Sequence, residues 1–115
     1  MTTARRLGFL NPTRREVALL NLSSIDAPLT LDPACFNCFC AVNAENLTVD
    51  AQINFCNRLW LLGCAYFAAW GPGCERLHDI MDEVALGDTP YKNFRCVMTT
   101  WHHEPLDEAL DFFLT

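Results

Sequence analysis

The chain has 115 residues, of which 51% are hydrophobic and 19% charged, and its formal net charge is −6. This composition excludes a disordered chain, and this length suits one ordinary domain with its own core. The longest apolar run, Leu59 to Trp70, has twelve residues. Because a membrane-spanning helix needs about 20 apolar residues, we expect no membrane segment.

The charges are unevenly distributed along the chain. Four arginines within the first fifteen residues are half of the eight basic residues, whereas all fourteen acidic residues lie at Glu16 or later. Residues 16 to 115 therefore carry four positive and fourteen negative charges, a net of −10. Such a body repels nucleic acid and anionic membranes and attracts basic surfaces. We therefore predict a protein partner with a basic surface, and no nucleic-acid or membrane partner.

Seven cysteines lie mostly within apolar stretches of the chain. An odd number of cysteines without a recognisable secretory signal favours free thiols over a disulfide framework. Since thiols stay reduced in the cytosol, we expect a cytoplasmic protein.

Residues 1 to 34 have no clear periodicity and contain three prolines. They are predicted to form a loosely structured N-terminal arm, with at most one strand, near Val17 to Leu22. Residues 35 to 115 are predicted to form a single α/β domain.

Strands and helices are expected to alternate three times in this domain. Short apolar runs predict the strands, and apolar residues spaced three and four apart predict the helices. Gly63 and Gly87 stand where helix C-caps are expected. The order predicts a small three-layer domain, with a mostly parallel sheet of three or four strands and helices on its faces. The predicted strands are Phe36 to Val42, Cys64 to Ala69 and Phe94 to Thr100, and the predicted helices are Thr48 to Leu62, Cys74 to Leu86 and Leu106 to Leu114.

The turn between the second strand and the second helix is the most informative segment. It reads Gly71-Pro-Gly73 and is followed at once by Cys74. Ligands of open α/β sheets bind where strands end at their carboxyl edge. Trp70 and Trp101 fall at two such ends, where indole rings form pocket floors or partner-binding anchors, although core packing explains them equally well. A small-ligand pocket at these strand ends is therefore one open hypothesis.

A Cys-His pair is a second hypothesis for the same edge of the sheet. Cys74 lies in the first turn of a helix, where the helix dipole favours a thiolate. If the second and third strands are neighbours, His102 or His103 approaches Cys74, as a nucleophile and its base would. Structural or surface roles are the more common ones for cysteines and histidines near strand ends, and the sequence identifies no oxyanion hole and no orienting acid. A small enzyme or redox sensor with Cys74 as reactive thiol stays open.

Metal and nucleotide sites are less well supported. Cys35-x-x-Cys38-x-Cys40 supplies half of a typical zinc site, but a second ligand pair at matching spacing is missing. Walker and dinucleotide-binding glycine patterns are absent from the sequence. We therefore predict no metal and no cofactor.

Two resemblances to known families can be stated. The strand, Trp70, the turn and Cys74 resemble the thioredoxin family, but Gly71 occupies the position of the attacking cysteine, so the similarity is local and implies no disulfide exchange. The phrases Cys64-Ala-Tyr-Phe-Ala-Ala-Trp-Gly and Val97-Met-Thr-Thr-Trp-His, with the trailing Glu-Pro-Leu-Asp-Glu-Ala-Leu, resemble a family of small bacterial proteins of unknown function, over residues 36 to 115. That resemblance implies a bacterial origin and no mechanism.

The function expected from the sequence is that of a protein-interaction or regulatory module, of the immunity or accessory type that pairs with a larger bacterial protein. The grounds are the acidic body, the basic arm and the lack of a complete catalytic set. The residues predicted to bind are Trp70, Gly71, Cys74, Trp101, His102, Asp107 and Asp111. The sequence leaves the oligomeric state open.

Overall fold

The computed structural model describes residues 5–9, 16–19, 24–29, 35–87 and 98–114. Two short antiparallel strands come first, and three parallel strands with three helices follow. The strands are β1 (Arg5–Phe9), β2 (Glu16–Leu19), β3 (Phe36–Ala41), β4 (Cys64–Trp70) and β5 (Met98–His102), and the helices are α1 (Val49–Leu62), α2 (Cys74–Gly87) and α3 (Leu106–Leu114).

The main sheet has the strand order β3-β4-β5, with all three strands parallel. Right-handed crossovers that advance in one direction place their helices on the same face, and α1 and α2 pack together on one face accordingly. The third helix covers the other face, where the Phe113 ring lies 5.4 Å from Phe39 and 5.7 Å from Tyr66. The predicted three-layer α/β architecture is confirmed.

The core lies between the sheet and the α1–α2 pair. Phe67 from β4 and Leu77 and Met81 from α2 are fully buried. The helix boundaries follow from local chemistry, since the Thr48 hydroxyl accepts from the amide of Ala51 at 3.1 Å and caps α1. Gly63 ends α1 in the left-handed conformation, as predicted.

The N-terminal region differs from its prediction in the number of strands. Two strands are present rather than at most one, with Arg5 paired to Leu19 and Phe9 paired to Glu16. The register shifts between Arg6 and Gly8, and such an irregularity disrupts the alternation by which strands are recognised in a sequence.

Residues 24–29 also belong to the predicted loose arm, yet they pack against α1. The Arg58 guanidinium donates to the carbonyl of Ala27 at 2.8 Å and to that of Ile25, and Ala27 is buried. This stretch is therefore held in place by the body of the protein. The predicted domain boundary at residues 34 and 35 stays a prediction.

The predicted start of the third strand lies outside the described residues, and its end lies two residues later than expected, at His102. Within the described residues, no helix is both long enough and apolar enough to cross a membrane.

Candidate functional site

The carboxyl ends of β4 and β5 lie side by side. Trp70 is the register partner of His102, and Ala69 is the partner of Trp101. Because side chains alternate between the faces of a sheet, Trp70 and His102 lie on the α3 face, whereas Trp101 lies on the α2 face. The two indole rings therefore start on opposite faces of the sheet, and the small-ligand pocket at these strand ends stays a prediction.

On the α2 face, the Cys74 thiol contacts the side chain of His103 and the backbone of His102. Its Sγ lies 3.9 Å from His103 Nδ1 and 3.6 Å from the backbone oxygen of His102. The Trp101 ring packs edge-on against the His103 ring, with 5.0 Å between centroids. The predicted approach of a histidine to Cys74 is confirmed, and the imidazole concerned is that of His103. Cys74 is only 1% exposed, so a substrate would not reach this thiol without movement of the chain.

On the α3 face, four side chains form a continuous hydrogen-bonded chain. Glu104 Oε1 lies 2.6 Å from His102 Nδ1, and His102 Nε2 lies 2.9 Å from Thr100 Oγ1. Thr100 Oγ1 in turn lies 3.0 Å from the hydroxyl of Tyr66. Alternation along β5 explains the arrangement, because Thr100 and His102 are two residues apart and share a face. We call these four residues the His102 chain.

The chemistry of the four side chains indicates which of them donates and which accepts in each hydrogen bond of the His102 chain. A carboxylate at Glu104 only accepts hydrogen bonds, so in the neutral tautomer of His102 that donates from Nδ1, the lone pair lies on Nε2. That nitrogen accepts from the Thr100 hydroxyl, whose oxygen accepts from Tyr66. Each group then has one defined role, and the direction of all three hydrogen bonds is consistent. The arrangement combines an orienting acid, a base and a hydroxyl group in one line.

The surroundings of the His102 chain fix its position. The Trp70 indole donates to the backbone oxygen of Glu104 at 2.7 Å, which ties the end of β4 to the segment after β5. The Phe112 ring lies 5.5 Å from the His102 ring. The His102 side chain is 11% exposed, so the imidazole is shielded but not sealed from solvent.

The comparisons with known proteins identify the family. A profile of a domain of unknown function, DUF7684, matches residues 17–115. The chain belongs to this family. The match begins well before residue 36, where the resemblance noted in the sequence begins. No curated protein and no solved structure matches the chain.

Three members of the His102 chain in this DUF7684 protein were not predicted from the sequence. Glu104 precedes α3 and turns back to His102 rather than joining the acidic face of the helix. Tyr66 and Thr100 are brought together across 34 positions of the sequence. The signal that sequence analysis could have used is the alternation Thr100-x-His102-x-Glu104, which is typical of side chains on one face of an extended segment.

Gly71, predicted to bind a ligand, has a packing role in the structure. Its φ is +112°, and a Cβ atom built there would lie 2.3 Å from the carbonyl oxygen of Val42. The Pro72 carbonyl of the same turn accepts from the amide of Ala44 at 2.8 Å. The turn is thus packed against the segment that follows β3, which accounts for its glycines.

A third cluster lies on α2. His78 Nδ1 is 2.9 Å from Asp79 Oδ1, and His78 Nε2 is 3.5 Å from Asp82 Oδ2. The ligand atoms are close enough to hold a metal ion. However, the carboxylates lie against opposite nitrogens of the imidazole, as hydrogen-bonded partners of a histidine do, and Asp82 also accepts from Thr99.

The cysteines of the Cys35-x-x-Cys38-x-Cys40 pattern differ in their exposure. Cys35 is exposed, whereas Cys40 is buried in β3. Burial and, to a lesser degree, nearby thiols raise the pKa of Cys38 well above its ordinary value. The same causes raise the pKa of Cys40 and Cys56 to about 12. Cys40 and Cys56 both belong to the hydrophobic core between the sheet and the α1–α2 pair.

Proposed function

We propose that the chain is a cytoplasmic protein-interaction module of the accessory type, which binds a basic partner through α3. The observation that carries the proposal is the exposure of this helix, of whose nine residues Ala109 alone is buried. Its exposed residues combine negative charge with apolar area. We call them the α3 surface: Leu106, Asp107, Glu108, Asp111, Phe112 and Leu114.

The apolar part of the α3 surface supplies binding energy. Phe112 is 61% exposed and Leu106 is 39% exposed. Exposed aromatic side chains on a regular element are typical anchors of interfaces, where they fill a pocket of the partner. An amphipathic helix that presents such residues suits a groove on a second protein.

The charged part of the α3 surface selects the partner. Asp107, Glu108 and Asp111 are all exposed, and α3 contains no basic residue. Exposed charges of one sign speed association with a surface of opposite sign and disfavour other partners. The complement of this surface is an apolar groove lined by lysine and arginine.

The cysteines support the proposed compartment. Free thiols are found within the described residues at Cys35, Cys38, Cys40, Cys56 and Cys74. Free thiols in this number are typical of proteins from reducing compartments.

The alternative of an enzyme or redox sensor with Cys74 as its reactive thiol is supported less well. The thiol is buried, and reactive cysteines are at least partly exposed. A small-ligand site is also less favoured. A cleft of about 500 Å³ does lie beside the start of α2, lined by residues that include Glu45, Glu75 and Asp79, but neither Trp70 nor Trp101 contributes to it.

The proposal is tested by capture from a lysate of the source organism at low salt, with quantitative mass spectrometry. The double variant Asp107→Lys/Asp111→Lys should lose the partner that the native chain captures, because the sign of the α3 surface is reversed. Phe112→Ser leaves the net charge unchanged and should also lose this partner, because it removes the apolar anchor.

The matched control is Glu75→Lys/Glu83→Lys, which makes the same change in charge at exposed positions of α2. It should retain the partner. All variants should unfold at similar temperatures, since the substituted residues are exposed. Capture that is unaffected by the α3 variants, or equally reduced by the α2 control, would show that the α3 surface is not the binding site.

A further inference from the structure

The His102 chain has a geometry that binding to a protein partner does not require. An acid on Nδ1, a hydroxyl group on Nε2 and a second hydroxyl group beside the first are held at 2.6, 2.9 and 3.0 Å. Each distance is within the range at which a nucleophile, its base and the residue that orients the base contact one another. We propose that the chain hydrolyses carboxylic esters with a short apolar acyl group, with Thr100 as the nucleophile.

A purely structural role explains this arrangement less well. Apolar residues would attach α3 to the sheet without the cost of desolvating a carboxylate, an imidazole and two hydroxyl groups. Phe113 already performs this task through its contacts with Phe39 and Tyr66. The base of this arrangement, His102, is the last residue of β5, and α/β proteins hold their active sites at the carboxyl ends of parallel strands.

The first half of the reaction transfers the acyl group to the protein. His102 Nε2 takes the proton of the Thr100 hydroxyl while Oγ1 forms a bond to the carbonyl carbon of the ester. The carbonyl oxygen gains the negative charge, and the Tyr66 hydroxyl turns to donate to it. The carbon–oxygen bond to the alcohol then breaks, and the imidazolium returns its proton to the leaving alkoxide. The products are the free alcohol and an acyl ester of Thr100.

The second half releases the acid. His102 Nε2 takes a proton from a water molecule, whose oxygen attacks the acyl carbon. When the bond to Thr100 Oγ1 breaks, the imidazolium returns the proton to that oxygen and the carboxylic acid leaves. The net reaction consumes one ester and one water, and the Thr100 hydroxyl is restored. Glu104 is a positioning residue throughout, because it holds the imidazole in the productive tautomer and stabilises the imidazolium.

The walls of the site indicate the substrate class. Thr100 and Tyr66 are partly exposed, as access of a small molecule to their hydroxyl groups requires. The rings of Phe112 and Phe113 flank His102 and Tyr66, respectively. Aromatic rings beside the base and beside Tyr66 favour an acyl group that is short and apolar.

The test uses purified protein and p-nitrophenyl acetate, with release of p-nitrophenol and the mass of each peptide as readouts. The native chain should release p-nitrophenol and acquire one acetyl group on the peptide that contains Thr100. Thr100→Val preserves the shape of the side chain and should reduce the rate by about 100-fold or more, with no adduct on that peptide. The matched control, Thr99→Val, changes the neighbouring hydroxyl on the opposite face and should leave both readouts unchanged.

Two further variants keep the test decisive if Thr100→Val unfolds. Thr100→Ser should retain the acetyl adduct, because the hydroxyl group is kept. Glu104→Gln should lower kcat by at least about tenfold without a change in KM, because it affects only the orientation and charge of the base. An adduct on a cysteine or histidine, a rate no greater than that of free imidazole, or equal rates for Thr100→Val and the native chain would overturn the proposal. These results do not depend on a partner, so they leave the role of the α3 surface to its own test.

Discussion

Replacing Gly71 by alanine should strongly destabilise the protein, whatever the turn binds. Gly71 has φ +112°, a backbone conformation that residues with a Cβ rarely adopt. The added Cβ would lie 2.3 Å from the Val42 carbonyl oxygen and 3.1 Å from its carbon. Both atoms belong to the backbone, so no side chain can move aside to make room. To make room for the Cβ atom, either the turn that follows β4 or the segment that follows β3 must move.

The size of the effect is the sum of two costs. Holding a residue with a Cβ in a sparsely populated backbone region costs about 1–3 kcal/mol, and forcing extra volume into a packed region costs about 1–3 kcal/mol more. The expected loss is therefore at least about 2 kcal/mol, out of a typical stability of roughly 5–15 kcal/mol. For a chain of this size, that loss lowers Tm by roughly 8 °C or more.

Urea unfolding followed by circular dichroism measures this loss directly. The matched control is Gly87→Ala, because a Cβ at Gly87 meets no atom within 4 Å. Alanine at the last position of α2 should be neutral or stabilise by up to about 1 kcal/mol. If Gly71→Ala unfolds within about 0.5 kcal/mol of the native chain, the turn is not packed as described, and Gly71 would again be a candidate for ligand binding.

Two further predictions concern the cysteines. Because Cys40 and Cys56 have pKa values of about 12 in the folded chain and an ordinary value of 9.0, the unfolded chain loses these protons first as the pH rises. The free energy of unfolding should fall between about pH 9 and pH 12, by about 1 kcal/mol per thiol at pH 10; an unchanged urea midpoint from pH 8 to pH 10 would contradict this burial. In native thiol labelling read by mass spectrometry, Cys35 should react first among the described cysteines, whereas Cys40, Cys56 and Cys74 should react only as the chain opens. Rapid labelling of Cys74 would instead support the hypothesis that it is a reactive thiol.

The order and nature of the main elements were predictable from the sequence, because they depend on local interactions. The apolar spacing of α1, its Thr48 cap and the glycine that ends it all act within a few residues. The strand–helix alternation then predicts a mostly parallel sheet with helices on its faces, whereas the strand order that places α1 and α2 on one face came from the structure. The β1 strand was missed because its register shift disrupts the alternation on which strand prediction depends.

The composition of the site was not predictable in the same way. The sequence predicted that His102 or His103 approaches Cys74, but the face on which each side chain lies depends on the register between β4 and β5. A shift of one residue would move every side chain of a strand to the other face. That register is set by packing between segments far apart in the chain, as is the contact between Tyr66 and Thr100. For this reason local patterns located the edge of the sheet that holds the candidate site, whereas the pairing of His102 with Glu104 and Thr100 emerged from the packed sheet.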